Sequence, residues 1–480
     1  MRHALSIAML SMKNLSIGVW IIASLFVLSG VVLLLTVQPR SDDMQMWVFS
    51  PEHEAMYKPM LERMNSERAQ QSAMVAMDDA FDEQIQIKLS ILSRAAIKSR
   101  MMSGFFGGLE TADLIEVERA TVGQVFMGPI EAVGFHDLTD RLIDEGLYDQ
   151  INKPSLSPWT MDGRVFGLPH DVHPVMLAYR ADLVEAAGID LQQATTWDEM
   201  FAMLAPLMTD TDGNGQPDRY PLSFWFTQPD NVELLLLQGG GQLFANDGTP
   251  TINTEINAQL LAKMVSWCVG PNQVATDIDE FSAGGHQSRV DGDAIAYLAP
   301  DWMCSIWKMH VPGIAGKMKV MPLPAFQPGG LRTSVRGGTM LGIPKATKHF
   351  EQSWEAAKLL YTSPEVAREL YRMVDIVTPI RSLWDDPVFD EPDPFFMNQP
   401  KGRMYIELAP DIPLRPSSPY NTNAVLLIRD AAVNLSSWAR DNELYEPEQL
   451  LERAKQELIK AQRGIERQME RNVFAPGDGE

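Results

Sequence analysis

The chain has 480 residues, 45% of them hydrophobic, and a formal net charge of −23. At ~150 residues per domain the length allows about three units, and the apolar content is that of a globular protein. The acidic balance excludes a nucleic-acid partner, whose phosphates need a basic surface, and docking on anionic lipid. Cys268 and Cys304 show no CxxC or Cys/His zinc spacing. They are read as a disulfide or as two buried thiols.

Ile17 to Val37, IGVWIIASLFVLSGVVLLLTV, is almost unbroken in apolarity, as a spanning helix of roughly 20 residues requires. A secretory h-region is shorter, ~7–15 residues. Val31 stands where a lipoprotein box would place its cysteine. The pattern predicts an uncleaved anchor over 16–37, with an atypical cleaved signal as the alternative. Arg2 and Lys13 precede it, so residues 1–15 stay cytoplasmic and the bulk faces outward.

Beyond the anchor, MQMWVF at 44–49 reads as a strand. Residues 51–65 carry Met56, Met60, Leu61 and Met64 at helical spacing. Ile85, Ile87 and Leu89 alternate as a strand, 92–102 reads as a helix, and ADLIEV at 112–117 as a further strand. Strands alternating with helices predict an open, mostly parallel sheet. A second series starts at 175–179 and runs into a helix stopped by Gly188. Thr196 with Glu199 forms a capping box. Helices are predicted over 232–237, 256–269, 351–361 and 364–373, with a long terminal one over 446–469. Strands are predicted over 293–298, 320–323 and 340–343. The Pro-rich stretches 386–400 and 409–419 read as ordered loop because aromatics punctuate them, and 473–480 reads as a disordered tail.

The loop DTDGNGQPD matches the start of a calcium loop, with Asp210, Asp212, Asn214, Gln216 and Asp218 as candidate ligands of a structural calcium. The usual acidic twelfth ligand is Pro221, and a solvated Asx turn is the alternative. In HDVH, His170 and His173 fall on opposite faces of an extended chain, which disfavours a zinc pair. GxSxG, HExxH and Walker A motifs are absent from the sequence. Glu116 and Glu118 are a carboxylate pair of the kind a glycosidase uses, although such residues are more often surface or binding groups. Trp225, Trp302, Trp384 and Tyr420 lie near predicted element ends. Aromatic rings there suit the apolar faces of a sugar, and polar side chains suit its hydroxyl rim. Arg336-Gly337-Gly338-Thr339 is a tight turn before a strand.

The segments GRVFGLPHDVHPVMLAYRADLVEAAGI, TTWDEMFAMLAPLMTDTDGNGQPDRYPLSF, GDAIAYLAPDW and GGTMLGIPKATKHFEQSWEAAKLLYTSPEVARELY stand in that order. Together they resemble the family 1 extracellular solute-binding proteins, which serve carbohydrate ABC importers. The anchor in place of a lipidated cysteine, and the Pro-rich insertion near Asp386, depart from that pattern. The resemblance implies a periplasmic-binding-protein-like α/β fold of the class II type. Two lobes are joined by three crossings, at 168–174, 299–301 and 361–364. Residues 44–170 with 300–362 form the first lobe, and 171–299 with 363–472 the second. The resemblance implies ligand contacts from Ser50, Glu52, Asp82, Glu116, Glu118, Asp171, His173, Trp225, Trp302, Arg336, Thr339, Trp384 and Tyr420. It implies no catalysis and no organic cofactor. The partners are a carbohydrate and a membrane permease driven by a cytoplasmic ATPase. An exported glycan-active enzyme and a carbohydrate sensor are the alternatives.

Overall fold

The computed structural model describes Ser24 and residues 43–75, 86–210, 213–224 and 226–472. The expected anchor over 16–37 (Ser24 apart), Asp82, Asp212, Trp225 and the tail 473–480 lie outside the described residues. No described helix is long and apolar enough to cross a membrane.

The chain opens as β1 (Met44–Val48), α1 (Pro51–Val75), β2 (Ile87–Ile91), α2 (Arg94–Gly107) and β3 (Leu114–Glu118). Ser93 caps α2 by accepting the Ala96 N–H, and Gly108 ends it in the left-handed region. Next come β4 (Leu168–Pro169), β5 (Val175–Arg180), α3 (Trp197–Leu204), β6 (Tyr220–Ser223), α4 (Pro229–Gln238), α5 (Glu255–Ser266), β7 (Ala275–Thr276), β8 (Ala294–Pro300), α6 (Asp301–His310) and β9 (Met318–Pro322). The capping box Thr196/Glu199 starts α3, as its spacing predicts. The chain ends with β10 (Thr339–Gly342), α7 (Phe350–Thr362), α8 (Pro364–Val374), α9 (Lys401–Leu408), α10 (Asn421–Asn442) and α11 (Pro447–Glu470).

These strands form two five-stranded sheets, ordered β2-β1-β3-β10-β4 and β9-β5-β8-β6-β7. In the first, β1 runs parallel to β2 and β3, and β10 returns antiparallel to β3. Each sheet is buried on both faces, because the period-two alternation of its strands feeds two cores. Met44, Met46, Val48 and Leu114 enter one core of the first sheet, while Trp47, Ile115 and Val117 enter the other. In the second sheet Val175, Leu177 and Tyr179 face one way, and Met176 and Ala178 the other.

The sheets relocate two of the three expected crossings. The first stands, since β4 is in one sheet and β5 in the other. The second is at 335–338 rather than 299–301. Trp307 and Met303 of α6 join a core of the second sheet, and β9 pairs antiparallel with β5, Val320 opposite Ala178. Residues 300–335 therefore belong to the second lobe. The third crossing follows α8 rather than preceding it. Leu360, Val366 and Leu370 pack in one first-lobe core, and the chain passes over only beyond Asp375. The Pro-rich stretch is ordered, with Phe389, Phe395 and Phe396 buried against the second sheet.

Candidate functional site

All three crossings meet at one buried chain of charges. His173 Nδ1 lies 2.7 Å from Asp301 Oδ1, and His173 Nε2 lies 2.9 Å from Asp171 Oδ2. Asp171 also accepts the Thr339 N–H at 3.1 Å, and Asp301 accepts those of Trp302 at 2.8 Å and Val377 at 2.9 Å. One Asp–His–Asp triad thus ties 171–173, 339 and 377 together. Burial alone would drive His173 neutral, but Asp171 and Asp301 outweigh it and raise its pKa to about 10. Burial opposes ionisation of Asp171 as well, yet His173 and His170 hold it well below the usual carboxylate range. His173 carries φ +55°, rare for a residue with a Cβ. The two ion pairs hold that strained backbone in place.

The RGGT turn forms the second crossing above this triad. Gly337 and Gly338 have φ +100° and +127°, and a Cβ on Gly337 would meet His173 Cδ2 at 2.8 Å. Glycine is therefore required for the backbone to lie against the hinge histidine. Trp302 Nε1 donates to Arg336 O at 3.1 Å, the Arg336 guanidinium lies 5.5 Å from the Trp302 ring, and the half-exposed Phe281 stacks parallel to it at 6.3 Å. An aromatic platform backed by a cation results.

The lobes are in contact across this floor. Arg119, just after β3, donates to both oxygens of Glu233 on α4 at 2.7 Å. Thr422 Oγ1 on α10 donates to Ala120 O, and Asn472 donates to Met127 O. Glu118 pairs with Arg94 at 2.8 Å. Burial raises its pKa; Arg94 offsets part of that, and Asp230 of the opposite lobe adds to it. A cavity of about 560 Å³ lies between the lobes, lined from one side by Met127, Ser157 and Met161 and from the other by Leu414, Ser418 and Tyr420.

Arg336, Thr339, Asp171, His173 and Trp302 are thus brought together, with Glu118 on the facing strand. Asp171, His173 and Thr339 are spent on the hinge rather than open to a ligand. Glu116 is a correction too. Strand alternation turns it inward with Leu114, and it is 0% exposed. There it meets His53 Nδ1 at 3.0 Å and accepts the Tyr361 hydroxyl at 2.8 Å. Burial opposes its charge, but His53 outweighs that and lowers its pKa. Glu52 opens α1 and bonds Ser50 beside that cluster. Tyr420 lines the interlobe cavity, its hydroxyl accepting from Asn472. Trp384 does not join the site: its indole donates to Thr378 O, and it packs on a second-lobe core. In the calcium-like loop, Asp210 accepts the N–H groups of Gly213, Asn214 and Gly215, and Asn214 that of Gln216. Asp218 is tied by its N–H to Thr209 O. No trio of His, Cys, Asp or Glu suited to a metal occurs among the described residues. Arg119, Glu233, Arg415 and Phe281 went unread in the sequence. Arg119 was detectable as the residue that directly follows a buried strand.

Residues 111–367 match the model of the bacterial extracellular solute-binding proteins. The chain belongs to that family. This solute-binding protein is 22% identical over 362 residues to an arabinooligosaccharide-binding protein of Halalkalibacterium halodurans, covering 73% of this chain and 74% of that protein. It is also 22% identical to a lactose-binding protein of Rhizobium radiobacter, over 64% of this chain and 71% of the other. The sugar-binding protein MalE from Xanthomonas citri superposes with a TM-score of 0.69 at 16% identity, over 89% of this chain and 99% of that one. A cyclo/maltodextrin-binding protein complexed with maltotetraose gives 0.67 at 16% identity, over 90% and 100%. The fold is the two-lobe binding-protein fold, and family membership puts the binding body on the extracytoplasmic side.

Proposed function

We propose that this solute-binding protein captures a sugar or oligosaccharide between its lobes and hands it to an ABC permease without chemical turnover. The observation that carries the reading is the platform of Trp302 and Phe281, backed by Arg336, on the cleft floor beside the hinge. Aromatic faces cover pyranose C–H groups while charged side chains take the hydroxyls. The arabinooligosaccharide and lactose relatives support the same ligand class. Closure gathers contacts from both lobes, and the ligand shifts the equilibrium by its differential affinity. The apolar run 16–37 would tether the body near the permease and raise its effective concentration. Loop 210–218 would hold a structural calcium.

The test is calorimetry of the full-length protein in detergent against arabino-, galacto- and malto-oligosaccharides, with product analysis. Heat with unchanged sugar supports a binder. New reducing ends in step with protein concentration would instead favour a glycan-active enzyme. Phe281→Ala, at a half-exposed position, weakens binding by about three- to tenfold with an unchanged melting temperature.

A further inference from the structure

The cleft holds a third arginine, and it forms no ion pair among the described residues, although Glu233, Asp171 and Asp230 act on it at longer range. Arg415 is 6% exposed. Its Nη1 donates to Gly337 O at 2.7 Å, and its backbone N–H donates to Ser157 Oγ of the first lobe. Its Nη2 lies 3.3 Å from the position a Cβ on Gly338 would take. The guanidinium therefore sits against the RGG turn, at the meeting of the lobes. The carboxylates around it are already engaged: Glu233 holds Arg119 through two bonds, and Glu280 lies 2.7 Å from Arg336 Nη2. Asp230, on α4, forms no ion pair among the described residues, but it faces Arg336, Arg119 and Arg415 electrostatically. Arg415 forms no salt bridge there either. Its Nε is buried without a hydrogen-bond partner, as are Nε and Nη1 of Arg336, which is 3% exposed, and Oγ of Ser417. Burial, then the adjacent Arg119, lowers the Arg415 pKa to about 9.

A buried guanidinium without a contacting ion-pair partner is costly. Hydroxyls of a neutral sugar would satisfy its N–H groups yet supply no ion-pair partner. A planar carboxylate or a phosphate would do both, through the paired donors that arginine presents. The 560 Å³ interlobe cavity is lined by Leu414 and by 416–420, the residues on either side of Arg415. The geometry points to an acidic carbohydrate as ligand, one whose carboxylate or phosphate group is received by Arg415, with Arg336 beside it. This inference rests on the sugar-binding reading and narrows it, since arabinooligosaccharides and lactose are neutral.

The test is calorimetry of the full-length protein in detergent with matched pairs: galacturonate and galactose oligomers of equal length, and a hexose 6-phosphate with its parent hexose. Two further probes, free galacturonate and glycerol 3-phosphate, carry the anion with little or no oligosaccharide. The expected result is that one acidic class binds about tenfold or more tighter than its neutral partner. Arg415→Gln abolishes that preference and Arg415→Lys keeps part of it, while melting curves confirm that both variants fold. Whether uronate or phosphate wins identifies the source of the anion. The inference is overturned if neutral members bind as tightly as acidic ones, or if Arg415→Gln leaves the preference intact; neutral binding would still support the sugar reading. If the small anions bind through Arg415 and no oligosaccharide does, the anion site stands and the oligosaccharide reading falls. If no probe binds, both fall.

Discussion

Replacing His173 by glutamine removes the positive centre of the hinge and leaves Asp171 and Asp301 facing each other, 4% and 0% exposed. Breaking a buried pair by deleting one partner costs about 3–5 kcal/mol. The pKa gives a similar scale: a rise from 6.5 to about 10, at about 1.4 kcal/mol per unit, is on the order of 5 kcal/mol. With a melting entropy of roughly 2.1 cal/mol/K per residue, the 480-residue chain should lose about 3–5 °C. The sign against pH follows from the direction of the shift. A histidine raised in the fold contributes in full below its unfolded pKa of 6.5. That contribution is lost as pH rises through about 10. Asp171 works in the opposite direction: its contribution is present above 3.8 and is lost as pH falls below that. The assay is thermal denaturation of wild type, His173→Gln and the triple variant Asp171→Asn/His173→Gln/Asp301→Asn at several pH values. The triple variant should recover part of the loss, because it leaves no uncompensated charge. A His173→Gln shift below 1 °C, or wild-type stability flat between pH 7 and 10.5, would refute the charged-hinge account.

Arg119→Ala and Glu233→Ala should each loosen interlobe contact, and their cycle should show a coupling of about 1–3 kcal/mol, read from the change in ligand affinity. Strict additivity would mean that the pair does not act as a latch. Thr196→Ala removes one side of the capping box at α3 and should lower stability by about 1 kcal/mol, measured by urea midpoint. If the 210–218 loop holds calcium, chelation lowers the melting temperature and Asp210→Asn abolishes that response; identical melts with and without chelator would count against the site.

The β/α alternation of the first lobe was legible because each strand is short and each helix carries its apolar residues at helical spacing. Thr196 with Glu199 marked a helix start to the residue. The second crossing was not legible. Residues 299–301 follow an apolar strand and 335–338 precede one, and only pairing shows that β9 returns beside β5. Glu116 was misassigned although its period-two position already grouped it with Leu114. Its partners His53 and Tyr361 are 63 and 245 residues away in sequence, a distance that local pattern cannot bridge. Helix α10 went unread even though Ala424, Val425, Ile428, Ala431, Ala432 and Leu435 recur at helical spacing and are buried. Arg415 was not legible, because nothing local shows that a loop folds into the cleft.

The central claim is that carbohydrate binding closes the lobes about the Asp171–His173–Asp301 hinge. It is tested by electron-spin distance measurement between labels at Asp140→Cys on the first lobe and Glu448→Cys on the second; Cys268 and Cys304 are buried and escape labelling. Saturating ligand should convert a broad distance distribution into one narrow population, and His173→Gln should blunt that change. Identical distributions with and without every carbohydrate that gives binding heat would contradict the account.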